Sequence, residues 1–250
     1  MLELKNLSKS FSAHTRLALN NINLTVDQGD YCVIIGNNGS GKSTLLKLIS
    51  GEHTITSGEI FLNQQNISCL PIHLRAPYIA SVSQDINSGT IGDLTVTENI
   101  NLGTIRAKPA SYKFCKKLPN EINASIKHLG FTELNIVDKK MSDLSGGQRQ
   151  VIACLMATNP IPDLLLLDEH TSALDAKTRA KIMFSTNQLI RDKRITTLMV
   201  THNIHDAVTY GNRLLVMSYG QIIYDFRGSA KAHLTEQQIL NILNDADENI

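Results

Sequence analysis

The stretch Tyr31-Cys-Val-Ile-Ile-Gly-Asn-Asn-Gly-Ser-Gly-Lys-Ser43 decides how the rest of the sequence reads. Its first five residues form a compact apolar run, the next seven are rich in glycine, and Ser43 to Ile49 has helical character. Strand, loop and helix are predicted in that order. Gly36, Asn37, Asn38, Gly39, Ser40, Gly41, Lys42 and Ser43 fit the spacing GxxxxGK[ST], in the setting between strand and helix that the pattern needs. The glycines permit a tight backbone path that turns several N–H groups inward, and the helix aims its positive end at bound phosphate. Lys42 is predicted to hold the β- and γ-phosphates of a nucleotide. Ser43 offers a hydroxyl to Mg²⁺, with the Thr44 hydroxyl nearby.

Two further apolar runs, Leu164 to Leu167 and Thr196 to Val200, are each followed by polar sequence and a helix-compatible stretch. Crossover helices between buried strands favour an α/β core with a mostly parallel sheet. Leu2 to Leu7 and Ile22 to Val26 alternate apolar and polar residues, which predicts a small antiparallel sheet at the N-terminus. From about Thr95 to Thr158 the buried-strand signal disappears, and helix-compatible stretches, including Ile122 to Leu129 and Gln148 to Thr158, replace it. The expectation is one domain over residues 1–250, with a helical subdomain at about 95–158. Pro109 and Pro119 bracket a basic patch of Lys113, Lys116 and Lys117, read as a solvated face. Thr235 and Gln238 stand at capping-box spacing before a terminal helix carrying Ile239, Leu240, Ile242 and Leu243.

Leu164-Leu-Leu-Leu-Asp-Glu169 places two adjacent carboxylates where a central parallel strand ends, the edge at which open α/β sheets bind ligands. Asp168 suits Mg²⁺, and Glu169 suits the polarisation of an attacking water. Taken alone, an apolar run ending in Asp-Glu fits an exposed acidic turn equally well.

Composition sets outer bounds. Hydrophobic residues make up 42% and charged residues 19% of the 250, an ordinary globular balance. A formal net charge of +1 argues against nucleic acid as the principal partner. No apolar run approaches the roughly 20 residues of a membrane-spanning helix. The start, MLELKNLSKS, does not read as a secretion signal, so a cytoplasmic location is expected. Cys32, Cys69, Cys115 and Cys154 are too widely spaced for a zinc site or a disulfide framework, and are read as reduced packing residues.

Leu144-Ser-Gly-Gly-Gln-Arg-Gln150 resembles the signature motif of ATP-binding cassette proteins. Read locally, Ser145, Gly146, Gly147 and Gln148 open a helix with exposed N–H groups and a hydroxyl, which is also what a simple helix cap needs. The resemblance implies that they face the ATP of a second copy in a head-to-tail dimer. The family's other landmarks follow in order: Gln84 in Ser-Val-Ser-Gln-Asp85, Ser172-Ala-Leu-Asp175, and His202 after Val200. It implies that Gln84 senses Mg²⁺ and the attacking water and links the site to a membrane partner, that Asp175 communicates across the dimer, and that His202 contacts the γ-phosphate. Phe11 resembles the aromatic residue that stacks on adenine.

Most family members carry proline after the Asp-Glu pair, whereas this sequence has His170. With Ser145-Gly-Gly-Gln-Arg-Gln150, Met156-Ala-Thr158, Thr197-Leu-Met-Val-Thr-His-Asn203 and Tyr210-Gly-Asn-Arg213, that departure is similar to ATPase subunits of bacterial importers of the tryptophan and tyrosine type. The implied activity is Mg²⁺-dependent ATP hydrolysis at the cytoplasmic face of the cell membrane. The implied partners are a second copy, a separate permease with its dock between Gln84 and Asn99, and, indirectly, an extracytoplasmic solute-binding protein. A soluble cassette ATPase of a non-transport complex is the alternative, although the doubled cassette or long coiled coil usual there is missing. A non-hydrolysing ATP-gated module would lack Glu169 or His202, and a small-molecule kinase would not carry the signature.

Overall fold

The computed structural model describes residues 1–12, 17–85, 89–106, 118, 122, 124, 126 and 136–248. Ten strands are formed among them: β1 Leu2–Lys9, β2 Leu19–Val26, β3 Tyr31–Ile35, β4 Ser57–Leu62, β5 Gln65–Asn66, β6 Ile79–Val82, β7 Leu164–Asp168, β8 Thr197–Val200, β9 Arg213–Ser218 and β10 Gln221–Arg227. The helices are α1 Lys42–Ser50, α2 Ile72–Arg75, α3 Val96–Ile105, α4 Gly146–Ala157, α5 Ala176–Lys193, α6 Ile204–Thr209, α7 Gly228–Ala232 and α8 Glu236–Glu248. The basic patch at Lys113, Lys116 and Lys117 lies outside the described residues, as do Cys115 and most of Ile122 to Leu129.

Two sheets result. One is antiparallel, in the order β2-β1-β4-β5; the other has the order β10-β9-β3-β8-β7-β6, parallel except for β10. The parallel strands bury both faces, so their side chains divide by alternation. Cys32 and Ile34 of β3, with Leu164 and Leu166 of β7, join a core shared with α1 and the antiparallel sheet. Val33 and Ile35, with Leu165 and Leu167, point the other way, toward α5 and α8. Tyr219 and Gly220, at φ 48° and 78°, make the two-residue turn between β9 and β10, where left-handed backbone matches the strand twist.

A third core, including Val96, Ile100, Ile136, Met141 and Leu144, lies among the helical elements. Helix α4 belongs to two cores. Val151, Ile152 and Leu155 face the helical elements, while Ala153, Cys154 and Ala157 face the parallel sheet. Small residues on the sheet side permit a close approach, and the larger ones fill the other side. Cys32 and Cys154 are buried free thiols, pushed up by burial to about 12 and about 11, so neither is a ready nucleophile.

Two buried arginines join separate pieces of chain. Arg75 donates to Leu48 O at 2.7 Å and Ile49 O at 3.0 Å, carbonyls in the last turn of α1, and to Ser68 O and Leu70 O. It thus supplies a cation and donors where a helix C-terminus lacks partners. Arg213, 2% exposed, grips Asp225 with two bonds of 2.7 Å and reaches Thr25 O of β2 at 2.6 Å, tying the sheets together. Burial disfavours the charged form of Asp225, but bonds from Arg213 and Arg227 outweigh it and hold its pKa below 3.8.

Asp225→Ala strands the Arg213 charge, although Asp30 stays within 3.6 Å. The variant should lose about 2 kcal/mol of stability in urea unfolding near pH 7. A depressed folded-state pKa contributes stability that is present above the ordinary value and is lost as pH falls through the folded value. The gap between wild type and variant should therefore close in strong acid, and a pH-independent gap would contradict the assignment.

Candidate functional site

The glycine-rich loop Gly36 to Gly41 runs from the end of β3 to the start of α1. A Cβ on Gly36 would collide with the carbonyl oxygen of Met217 on neighbouring β9. Gly41 has φ 101°, and a Cβ there would sit 2.6 Å from Ala18 O. Both positions therefore require glycine. Leu45 N donates to Gly41 O, which starts the helix at Lys42, one residue earlier than the sequence suggested.

Lys42 is buried at 6% exposure. Its ammonium donates to Gly36 O at 2.7 Å, Asn37 O at 2.9 Å and Ser40 Oγ at 3.3 Å, so the loop curls around it. Burial lowers its pKa, and the negative potentials of Glu169 and Asp168 oppose that shift. Ser43 Oγ donates to Asp168 Oδ1 at 3.1 Å, which fastens α1 to the end of β7. Burial raises the pKa of Asp168, and the Ser43 bond acts against it.

Glu169, immediately beyond β7, has φ 47°, an uncommon left-handed conformation for a residue with a side chain. Its N–H donates to Val200 O, and Ser172 N donates to its carbonyl at 2.9 Å, closing a turn over Glu169 to Ser172. Glu169 Oε2 lies 3.2 Å from His202 Nδ1. The edge formed by the ends of β7 and β8 therefore presents one carboxylate to the hydroxyl of α1 and the next to a histidine.

The other predicted residues are placed as follows. Ser145 caps α4 by accepting from Gln148 N, and the Gln148 side chain accepts from Ser145 N at 2.9 Å. None of Ser145, Gly146, Gly147 and Gln148 is bonded to the phosphate loop of its own chain. Asp175 caps α5 through Lys177 N and Thr178 N, and Thr178 heads the bonds that lower its pKa. Gln84 is exposed just after β6 and makes no hydrogen bond with another described residue. Phe11 is 60% exposed, edge-on to His53 at 5.3 Å and beneath the Lys9 ammonium at 5.1 Å. Asn38, Gly39 and Thr44 lie along the loop and the first turn of α1.

Three features escaped the sequence reading. His170 is 3% exposed and pushed by burial down to about 4, so it is neutral near pH 7. Asp206 is buried behind His202, its pKa raised by burial against Arg179, His205 and His202. Arg106 reaches from the end of α3 to the carbonyls of Ala76, Ala157 and Pro160. No local spacing marks the burial of His170 or Asp206, and the bonds of Arg106 reach 30 to 54 positions along the chain.

Hard oxygen donors at Ser43 and Asp168 fit Mg²⁺. Among the described residues no three His, Cys, Asp or Glu side chains gather around one point, so most of an octahedral shell would come from water or from oxygens of a bound ligand.

Known proteins resemble this chain along most of its length. Residues 19–172 match the ABC transporter family. A tyrosine transport ATP-binding protein of Clostridioides difficile is 38% identical over 244 residues, 96% of this chain and 97% of that protein. A sulfate/thiosulfate import ATP-binding protein of Nitrosomonas europaea is 36% identical over 225 residues, and the match spans 88% of this chain but 59% of that relative. The dimeric ATP-binding cassette MJ0796 in a post-hydrolysis state with ADP and Pi superposes with a TM-score of 0.73 at 30% identity, covering 91% of this chain and 98% of that one. The chain belongs to the ABC transporter family, as an ATP-binding and ATP-hydrolysing subunit.

Proposed function

We propose that two copies of this chain close around two Mg²⁺-ATP molecules and so power import of a small solute, of the amino-acid class, through a separate permease at the cytoplasmic face of the membrane. The observation that carries the reading is the pairing of Ser43 with Asp168 and of Glu169 with His202 on one sheet edge. Gly36 to Thr44 wrap the phosphates, and Lys42 exchanges its loop carbonyls for phosphate oxygens. Ser43, Asp168 and Gln84 hold Mg²⁺, which when bound neutralises phosphate charge. Glu169 takes the proton of the attacking water, and His202 orients it while contacting the γ-phosphate. Phe11 stacks on adenine.

The partner copy supplies Ser145, Gly146, Gly147 and Gln148 to the far side of each ATP, and Asp175 lies along the seam. That arrangement is supported by the neighbour of known structure that is a dimer of the cassette with ADP and Pi. The cassette is one unit over 1–250, with a helical subdomain at about 95–158. Beside Gln84, a cleft of about 470 Å³ lined by Ser83, Asp85, Leu102, Arg106 and Met156 suits a permease helix. Amino-acid import is favoured by the tyrosine transport relative, which matches along nearly its whole length. An extracytoplasmic binding protein would deliver the solute to the permease.

Glu169→Gln should retain ATP binding, slow turnover by at least about a hundredfold and accumulate an ATP-bound dimer in analytical ultracentrifugation. Turnover near the wild-type rate would remove Glu169 from the role of base. Ser145→Asp keeps an N-capping side chain, so its melting temperature should stay close to that of wild type. The new carboxylate would face the partner's γ-phosphate, and ATP-dependent dimerisation should disappear. A variant that still dimerises with ATP would place the signature residues elsewhere.

A further inference from the structure

Behind the Glu169 and His202 pair lies a cavity with about 10 Å³ open to the centre of a water molecule. That volume is room for one water. Its walls include Glu169, His170, Ser172, Arg179, His202 and Asp206. His170 and Ser172, two of the lining residues, each carry a buried polar atom, Nε2 and Oγ, with no hydrogen-bond partner among the described residues. Buried polar atoms are rarely left so, because each unmade bond costs on the order of 1–3 kcal/mol. Both atoms belong to the turn that Ser172 N closes onto Glu169 O, and that turn holds Glu169 at φ 47°.

We propose that His170 Nε2 and Ser172 Oγ share one buried water in this cavity, and that His170 acts through it as a positioning residue for Glu169. The inference rests on the assignment of Glu169 as the base for hydrolysis. An imidazole and a hydroxyl, both able to donate or accept, suit opposite sides of one water. The bridge would join the second and fourth residues of the turn and oppose relaxation of Glu169 from its left-handed backbone. It would fill the place beside the Asp-Glu pair where proline in other members restricts the chain covalently. In this role the water holds the turn and is not itself the attacking water. Its loss should therefore slow the chemical step and leave ATP binding unchanged.

The test combines a crystal structure of the full chain, at a resolution that shows ordered water, with steady-state ATP hydrolysis by His170→Phe, Ser172→Ala and the double variant. We expect one water within hydrogen-bonding distance of both side chains. Each single variant should lose about fivefold in kcat, the effect of one net hydrogen bond, with KM for ATP unchanged. The double variant should lose no more than the worse single, because both act through one molecule. His170→Gln, whose amide reaches about as far as Nε2, should recover most of the rate. A dry cavity, an unchanged kcat or independent, multiplying losses would overturn the proposal, and Ser172→Ala carries the kinetic test if His170→Phe does not fold. Glu169→Gln separates the two readings. If it is inactive while these variants turn over normally, only the water bridge fails; if it turns over normally, the assigned base fails first.

Discussion

The ammonium of Lys42 is withdrawn from water, and the surrounding loop exists in its present form because that charge must be satisfied. Three loop oxygens surround it, two from backbone carbonyls and one from Ser40. The loop can curl so tightly only with glycine at Gly36, where Met217 O is close, and at Gly41, where the backbone is left-handed. Burial disfavours the charge while Glu169 and Asp168 favour it, and the phosphate oxygens of the ATP proposed to bind here would favour it further. The apolar alternation of β3 and β7 serves the same end, because it fixes the strand ends from which the loop and the carboxylates project.

The same edge is connected mechanically to distant parts of the fold. Helix α1 begins in the phosphate loop and ends against Arg75, whose guanidinium also holds Ser68 and Leu70. Helix α4 begins at the signature serine and divides its faces between the helical core and the sheet. Arg106 fastens the end of α3 to carbonyls near β6 and after α4. The cleft beside Gln84 is lined by both of these helices, through Leu102 and Gly103 of α3 and Gln150, Ala153, Met156 and Ala157 of α4, with Arg106 between them.

The parallel core and the phosphate loop were legible because their signals are local. A five-residue apolar run fixes β3, a glycine pattern fixes the loop, and Thr235 with Gln238 forms the capping box its spacing announces, with bonds of 2.9 Å and 3.3 Å. Strands β4, β5, β6, β9 and β10 were not identified. Ile79-Ala-Ser-Val82 is too short to separate strand from helix by periodicity, and Arg213 places a charge at the head of an otherwise apolar run. In the site, the residue types at Ser43, Asp168, Glu169 and His202 were readable, but the pairing of Glu169 with His202 joins loops 33 positions apart. The burial of His170 was equally hidden, since nothing within the turn sequence distinguishes a solvated histidine from an enclosed one. Gln150, fully buried with both amide atoms unpartnered among the described residues, lies in the signature segment without a spacing that reveals it.

The central claim is that ATP turnover at this site drives a membrane permease supplied by another chain. The most direct measurement is affinity purification of the full chain from solubilised native membranes in the presence of ATP, with mass spectrometry of the proteins retained. The account predicts a permease with several membrane spans, recovered in near-equal amount and lost when Lys42 or the residues around Gln84 are altered. Recovery with ribosomes, DNA-repair proteins or another soluble assembly, and with no permease, would contradict it.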